Sequence, residues 1–152
     1  MYESLIIFDN KTLKNKNLAD IGSGAGFPSV PIAILNNSLK ITIIEPLLKR
    51  TKFLEIIKKE LNLENLTIRV ERAENSPLIN TFDYVTARAV APLRVLLEIS
   101  HNLLKLEGYF LFPKGPKVFE EMKESTKIIK ILNIKKLKIE DFNEINSIQN
   151  YL

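Results

Sequence analysis

Short apolar runs alternate with longer stretches in which apolar residues recur every three or four positions, and the two periods predict different elements. Asn17-Leu18-Ala19-Asp20-Ile21 reads as a short buried strand. Lys40-Ile41-Thr42-Ile43-Ile44-Glu45 reads as a second, apolar throughout its interior as a parallel strand covered on both faces must be. Further strands are expected at Leu66–Val70, Phe82–Ala87 and Gly108–Phe112. The stretches between them predict helices over Val30–Asn36, Leu47–Leu61, Leu93–Leu104 and Lys117–Lys127. The second helix carries Phe53, Leu54, Ile57 and Leu61 as a core stripe. Lys127–Glu140 alternates loosely and is expected to form one longer strand. Residues 1–16 read as the end of a helical segment followed by a linker. Residues 17–152 form the main domain, with Ile145–Leu152 opening an apolar pattern that the chain does not finish.

Three glycines at every second position, Gly22, Gly24 and Gly26, join the first strand to the first helix. Glycine permits positive φ and lets backbone N–H groups approach a ligand with no Cβ in the way. A dinucleotide fingerprint requires its third glycine three residues after the second. Phe27 occupies that position here, and Asp20 lies two residues before the turn. This variant suits a nucleoside with a short charged tail rather than a pyrophosphate, and S-adenosylmethionine is the candidate.

In an open parallel sheet, ligands bind beyond the carboxyl ends of the strands. Glu45, at the tip of the second strand, is placed to accept two hydrogen bonds from a ribose diol. Arg72-Ala73-Glu74 follows the third strand, so Ala73 offers backbone atoms and Glu74 a carboxylate beside the ligand's base. Arg88, expected at the end of the central strand, can hold a cofactor carboxylate or an RNA phosphate in a bidentate pair. Lys114, in the loop Pro113-Lys114-Gly115-Pro116, can face a polyanion.

Composition narrows the class further. At 152 residues and 45% hydrophobic, the chain is one domain with a real core. No cysteine is present, which excludes disulfides, thiolate zinc sites and cysteine nucleophiles. The single histidine, His101, reads as a helix-surface residue, and no metal site is expected. No run of 18 apolar residues predicts a membrane span, and the first residues lack the basic start of a secretory signal. A cytoplasmic monomer is the expectation. The net charge of +4 is compatible with a polyanionic partner without requiring one.

Taken together, several blocks resemble one family, the bacterial 16S ribosomal RNA guanine-N7 methyltransferases (glucose-inhibited division protein B). They are Asp20–Pro28, Lys49-Arg50 with Phe53-Leu54, Arg72-Ala73-Glu74, Arg88-Ala89-Val90-Ala91-Pro92-Leu93 and Lys114-Gly115. The resemblance covers Glu3 to Gly115 and extends faintly beyond. It implies an α/β, Rossmann-like class I S-adenosylmethionine-dependent methyltransferase fold, mostly parallel with an antiparallel last strand. It implies S-adenosylmethionine as methyl donor and a guanine in the 530 loop of 16S ribosomal RNA, naked or in the small subunit, as acceptor. It carries cofactor contacts to Gly22, Phe27, Ala73, Glu74 and Arg88, with Glu45 standing where the family usually has aspartate. The family also has a helical segment before Met1 and a completed closing strand, so a reduced or truncated version is expected.

Guanine N7 attacks with a free lone pair, and no proton must leave first. A chain without histidine, cysteine or paired carboxylates near its motifs fits that chemistry, which rests on positioning. Arg88 and Lys114 are the positioning candidates. The rival readings are a small-molecule methyltransferase on the same cofactor site, a nicotinamide-dependent oxidoreductase, against which Phe27 speaks, and a non-catalytic binding module.

Overall fold

A computed structural model describes residues 13–135. Five strands form one sheet: β1 (Asn17–Ile21), β2 (Lys40–Ile44), β3 (Leu66–Arg69), β4 (Phe82–Ala87) and β5 (Leu104–Leu111). Their order is β3-β2-β1-β4-β5, and every neighbouring pair is parallel. The chain steps outward from β1 through β2 to β3, then crosses back to lay β4 on the other side of β1. That reversal covers both faces of the sheet. Helices α1 (Ser29–Leu35) and α2 (Leu48–Glu60) pack on one face, where Leu18, Ile41, Ile43 and Leu66 meet Val30, Ile32 and Leu54. Helix α3 (Leu93–Ser100) packs on the other, where Ala19, Ile21, Ile44, Val85 and Ala87 meet Leu96 and Leu103. Successive side chains of a strand point to opposite faces, so Leu18 and Ala19 feed different cores.

Asn65 staples the end of the sheet opposite the strand tips. Its Nδ2 donates to the carbonyls of Ala33, Asn36 and Leu39 at 3.2, 3.0 and 3.1 Å, binding the exit of α1 to the entry of β2. At the same end Asp83 accepts from Asn17 N–H at 2.8 Å and from Lys105 Nζ at 2.9 Å.

Three expectations are corrected. Helix α3 stops at Ser100, a 3₁₀ turn spans His101–Leu103, and β5 begins at Leu104 rather than Gly108. Gly108 thus lies inside the strand, beside the register shift against β4, where a Cβ would come within 2.9 Å of the Asp83 carbonyl. The expected strand over Lys127–Glu140 is, in its described part, helix α5 (Thr126–Ile131), which follows α4 (Val118–Glu124) after Ser125. Ser125 N–H donates to Glu121 O at 3.0 Å and carries the helical course through the junction. Arg88 follows β4, whereas β1 is central among the described strands. The expected N-terminal segment, apart from Leu13–Lys16, and the expected antiparallel closing strand lie outside the described residues.

Candidate cofactor site at the carboxyl edge of the sheet

The strand register aligns the chemistry. Ile21 pairs with Ile44 and with Ala87, Ile44 pairs with Arg69, and Thr86 pairs with Leu111. The residues that leave the sheet next, Gly22, Glu45, Val70, Arg88 and Phe112, therefore emerge along one edge. Adjacent strands lie about 4.8 Å apart, so Gly22 is flanked by Glu45 on one side and Arg88 on the other. The direction of winding reverses between β1 and β4, and ligands enter open α/β sheets at that point.

All three turn glycines take positive φ, at 65°, 61° and 97° for Gly22, Gly24 and Gly26. Their steric surroundings differ. A Cβ on Gly22 would lie 2.8 Å from Val90 Cγ2, and one on Gly26 would lie 2.6 Å from Val30 Cγ2 and 3.1 Å from Leu54 Cδ2. These two glycines serve internal packing. On Gly24 the nearest atom to a Cβ would be Gly22 O at 4.0 Å, so this position leaves space beside bare backbone. The turn closes on itself through Gly26 N–H and Phe27 N–H to Ser23 O, at 3.0 and 3.1 Å.

Behind the turn sits Asp20, which is fully buried. In register it lies between Ile43 and Thr86, on the face covered by α1. Ser29 Oγ donates to its Oδ2 at 2.6 Å, while Oδ1 has no hydrogen-bond partner among the described residues. Burial pushes the Asp20 carboxyl up to about 6; the Ser29 hydrogen bond opposes the shift and the Glu45 charge adds slightly to it. The buried Ser23 hydroxyl lies close enough to bias the same carboxyl but closes no hydrogen bond to a described atom.

Glu45 stands at the expected edge, yet its side chain is only 1% exposed. Oε1 accepts Leu47 N–H at 3.0 Å, and Oε2 lies 3.5 Å from Arg50 Nη1. A carboxylate offers about four acceptor directions, so capacity remains. Ala73 is buried in a 3₁₀ turn and joins the same apolar cluster as Ile21 and Ile44, which brings the turn back from β3 toward the middle of the edge. Glu74 is exposed and pairs loosely with Arg72 at 3.8 Å. Phe27 is half-buried and Arg88 is exposed.

Lys114 is not turned toward a ligand. Its ammonium donates to Ala91 O at 2.9 Å and pairs with Glu121 Oε2 at 2.7 Å, and the side chain is 12% exposed. It is a structural lysine, bound because β5 ends beside the loop that leaves β4. Nothing in the sequence pattern singles out Val90, which covers Gly22, or the buried Ser29. For Asp20 the signal is an acid inside a largely apolar strand. Among the described residues no group of three or more His, Cys, Asp or Glu side chains gathers that would hold a metal ion, and no helix is long and apolar enough to cross a membrane.

The family model for GidB, rRNA small subunit methyltransferase G, matches residues 1–149. A protein named ribosomal RNA small subunit methyltransferase G from Mycoplasmopsis pulmonis is 43% identical over 149 residues, covering 96% of this chain and 64% of that protein. One of the same name from Acholeplasma laidlawii is 44% identical over 119 residues, covering 77% of this chain and 51% of that protein. The chain thus spans less than two thirds of the length of these curated relatives. Among solved structures, a SAM dependent methyltransferase from Aquifex aeolicus superposes with a TM-score of 0.59 at 22% identity, over 86% of this chain and 81% of that one. TYW2 of Pyrococcus horikoshii, in complex with MeSAdo, superposes with a TM-score of 0.67 at 19% identity, over 85% and 51%. These distant likenesses show the fold, a Rossmann-like class I methyltransferase sheet. On the extent of the family match and the identity of its relatives, this chain belongs to the rRNA small subunit methyltransferase G family.

Proposed function

We propose that the chain binds S-adenosylmethionine at the carboxyl edge of the sheet and methylates N7 of a guanine in the 530 loop of 16S ribosomal RNA. The observation that carries this reading is the glycine turn itself. Of its three glycines Gly24 alone leaves open space beside the backbone, and the buried acids Asp20 and Glu45 lie behind and beside the turn. The residues fit this cofactor. S-adenosylmethionine carries a net positive charge, which relieves the repulsion between two buried carboxylates. Asp20 Oδ1 and the Ser23 hydroxyl are buried and have no hydrogen-bond partner among the described residues, and such groups call for a ligand or an ordered water.

In this reading residues 17–152 form the methyltransferase domain, working as a monomer in the cytoplasm on the RNA or the small subunit. When bound, the cofactor would supply a methyl carbon activated by its sulfonium sulfur to a guanine N7 whose lone pair is already free. The chain's task is placement. Gly22, Gly24, Gly26 and Phe27 shape the floor of the site. Glu45 accepts from the ribose hydroxyls, Ala73 and Glu74 flank the base, and Arg88 holds the cofactor carboxylate or an RNA phosphate. Fixing the reactants in line can supply about 7–11 kcal/mol of barrier reduction. Lys114 acts through the loop it holds and not on the RNA.

Calorimetric titration with S-adenosylmethionine, followed by transfer of a labelled methyl group to unmodified 16S RNA and to small subunits, tests the proposal. The expected result is micromolar binding and a label at N7 in the 530 loop, with RNA affinity falling as salt rises. Absence of binding by the folded protein refutes the cofactor site. Binding without transfer to either acceptor refutes the activity, and labelling of free nucleoside alone favours a small-molecule substrate.

A further inference from the structure

We propose that Glu121 is a positioning residue for the cofactor, acting through the loop of residues 88–92 that covers the glycine turn. The proposal rests on the cofactor reading above. Glu121 belongs to α4, yet its Oε2 reaches the start of α3, where it accepts Leu93 N–H at 2.7 Å. The same oxygen pairs with Lys114 Nζ at 2.7 Å, and Lys114 donates onward to Ala91 O at 2.9 Å. Both sides of Pro92 are therefore gripped: the carbonyl before it by the lysine, the N–H after it by the glutamate.

One residue further back is Val90, whose Cγ2 occupies the space a Cβ on Gly22 would need. Before it stands Ala89, a non-glycine residue at φ 52°. A left-handed alanine persists only where its surroundings hold it. The loop is anchored at one end by β4 and at the other by the Lys114–Glu121 pair. Releasing the second anchor lets Ala89 return to an ordinary backbone conformation, and Val90 then leaves Gly22. The side of the glycine turn next to β4 is shaped by that contact, as is the exit direction of Arg88. A pair on the fifth strand's loop and the fourth helix thus sets the geometry of a site to which neither contributes an atom.

The test is titration with S-adenosylhomocysteine at low temperature, where folded fractions are matched by circular dichroism. It compares wild type, Glu121→Ala, Glu121→Gln and Lys114→Met, with Glu98→Ala as a control that breaks the exposed Arg94–Glu98 pair. Glu121→Ala is expected to weaken binding about tenfold, equivalent to 1.4 kcal/mol. Glu121→Gln, which still accepts from Leu93 N–H, restores most of that loss. A double variant that combines Glu121→Ala with Lys114→Met, titrated alongside, loses less than the sum of the singles. Glu98→Ala leaves affinity unchanged. Hydrogen exchange at Leu93 in the ligand-free protein quickens in Glu121→Ala. A folded Glu121→Ala protein that binds like wild type overturns the proposal alone. No binding by wild type overturns the cofactor reading and this proposal with it.

Discussion

Replacing Asp20 by asparagine should remove one contribution to the pH dependence of stability while weakening cofactor binding. The carboxyl is fully buried, and its folded-state value is pushed from 3.8 to about 6. The unfolded chain releases this proton near the ordinary value and the folded protein holds it longer. Between about pH 4 and 6 the native state therefore binds more protons than the unfolded state. Stability accordingly falls as pH rises through that window, and is flat above it. At 1.36 kcal/mol per unit, the cost carried by the native state at pH 7 is about 3 kcal/mol. Asparagine carries none of it. It keeps an acceptor for Ser29 Oγ but leaves an amide N–H₂ where the orphaned Oδ1 was, a penalty of about 1–3 kcal/mol. The variant should thus be less stable than wild type near pH 4 and equal or more stable at pH 7.5. The difference between the two comparisons should be about 3 kcal/mol. Urea unfolding followed by far-ultraviolet circular dichroism at both pH values measures it. Identical pH dependence in the two proteins would refute the burial argument. In the same protein the affinity for S-adenosylmethionine should drop, and the strengthening of wild-type binding as pH rises through about 6 should vanish; an unchanged profile would remove Asp20 from the site.

Other substitutions separate packing from ligand contact. Gly24→Ala meets open space but must adopt a left-handed backbone, so it should cost about 1–2 kcal/mol of stability and lose most cofactor affinity in titration calorimetry. Gly22→Ala carries the same strain and also strikes Val90, so its melting temperature should fall further than that of Gly24→Ala. Glu45→Gln keeps the volume and the Leu47 hydrogen bond but removes a charged acceptor worth about 1.5–3 kcal/mol, so cofactor affinity should drop at least tenfold with a melting temperature near that of wild type. Asn65→Ala removes the side-chain donor from three carbonyls at the far end of the sheet, of which only Asn36 O keeps a backbone donor among the described residues, Leu39 N–H at 3.3 Å, and should lower stability by about 2 kcal/mol without touching cofactor affinity; an altered dissociation constant would show that the two ends of the sheet are coupled.

The parts of this protein written locally in the chain are legible without a structure. The strands β1 to β4 lie within a residue of their predicted limits because short apolar runs bounded by turn residues have few other uses. The glycine turn, Glu45 and the Arg72-Ala73-Glu74 stretch after β3 are legible for the same reason: each is set by its distance from a strand end, and parallel pairing converts that distance into a common edge. What is not local was not legible. Gly108 looked like the start of β5 because glycine usually breaks a strand, and only the neighbouring Asp83 carbonyl explains its place inside one. Thr126–Ile131 alternates weakly enough to suit either period, and packing against α3 decides for helix.

Sequence alone determined the fold class, the position of the glycine turn and the set of residues leaving the sheet beside it. Only the tertiary structure decided which of those residues are buried and which are already paired within the protein. The reason is that a charged side chain looks alike in sequence whether it is solvated, paired or buried. Lys114 is occupied by a carbonyl and a carboxylate that stand 23 and 7 positions away. Asp20 is set apart by the surrounding strands and by Ser29, which take water away from it and leave one of its oxygens without a partner among the described residues.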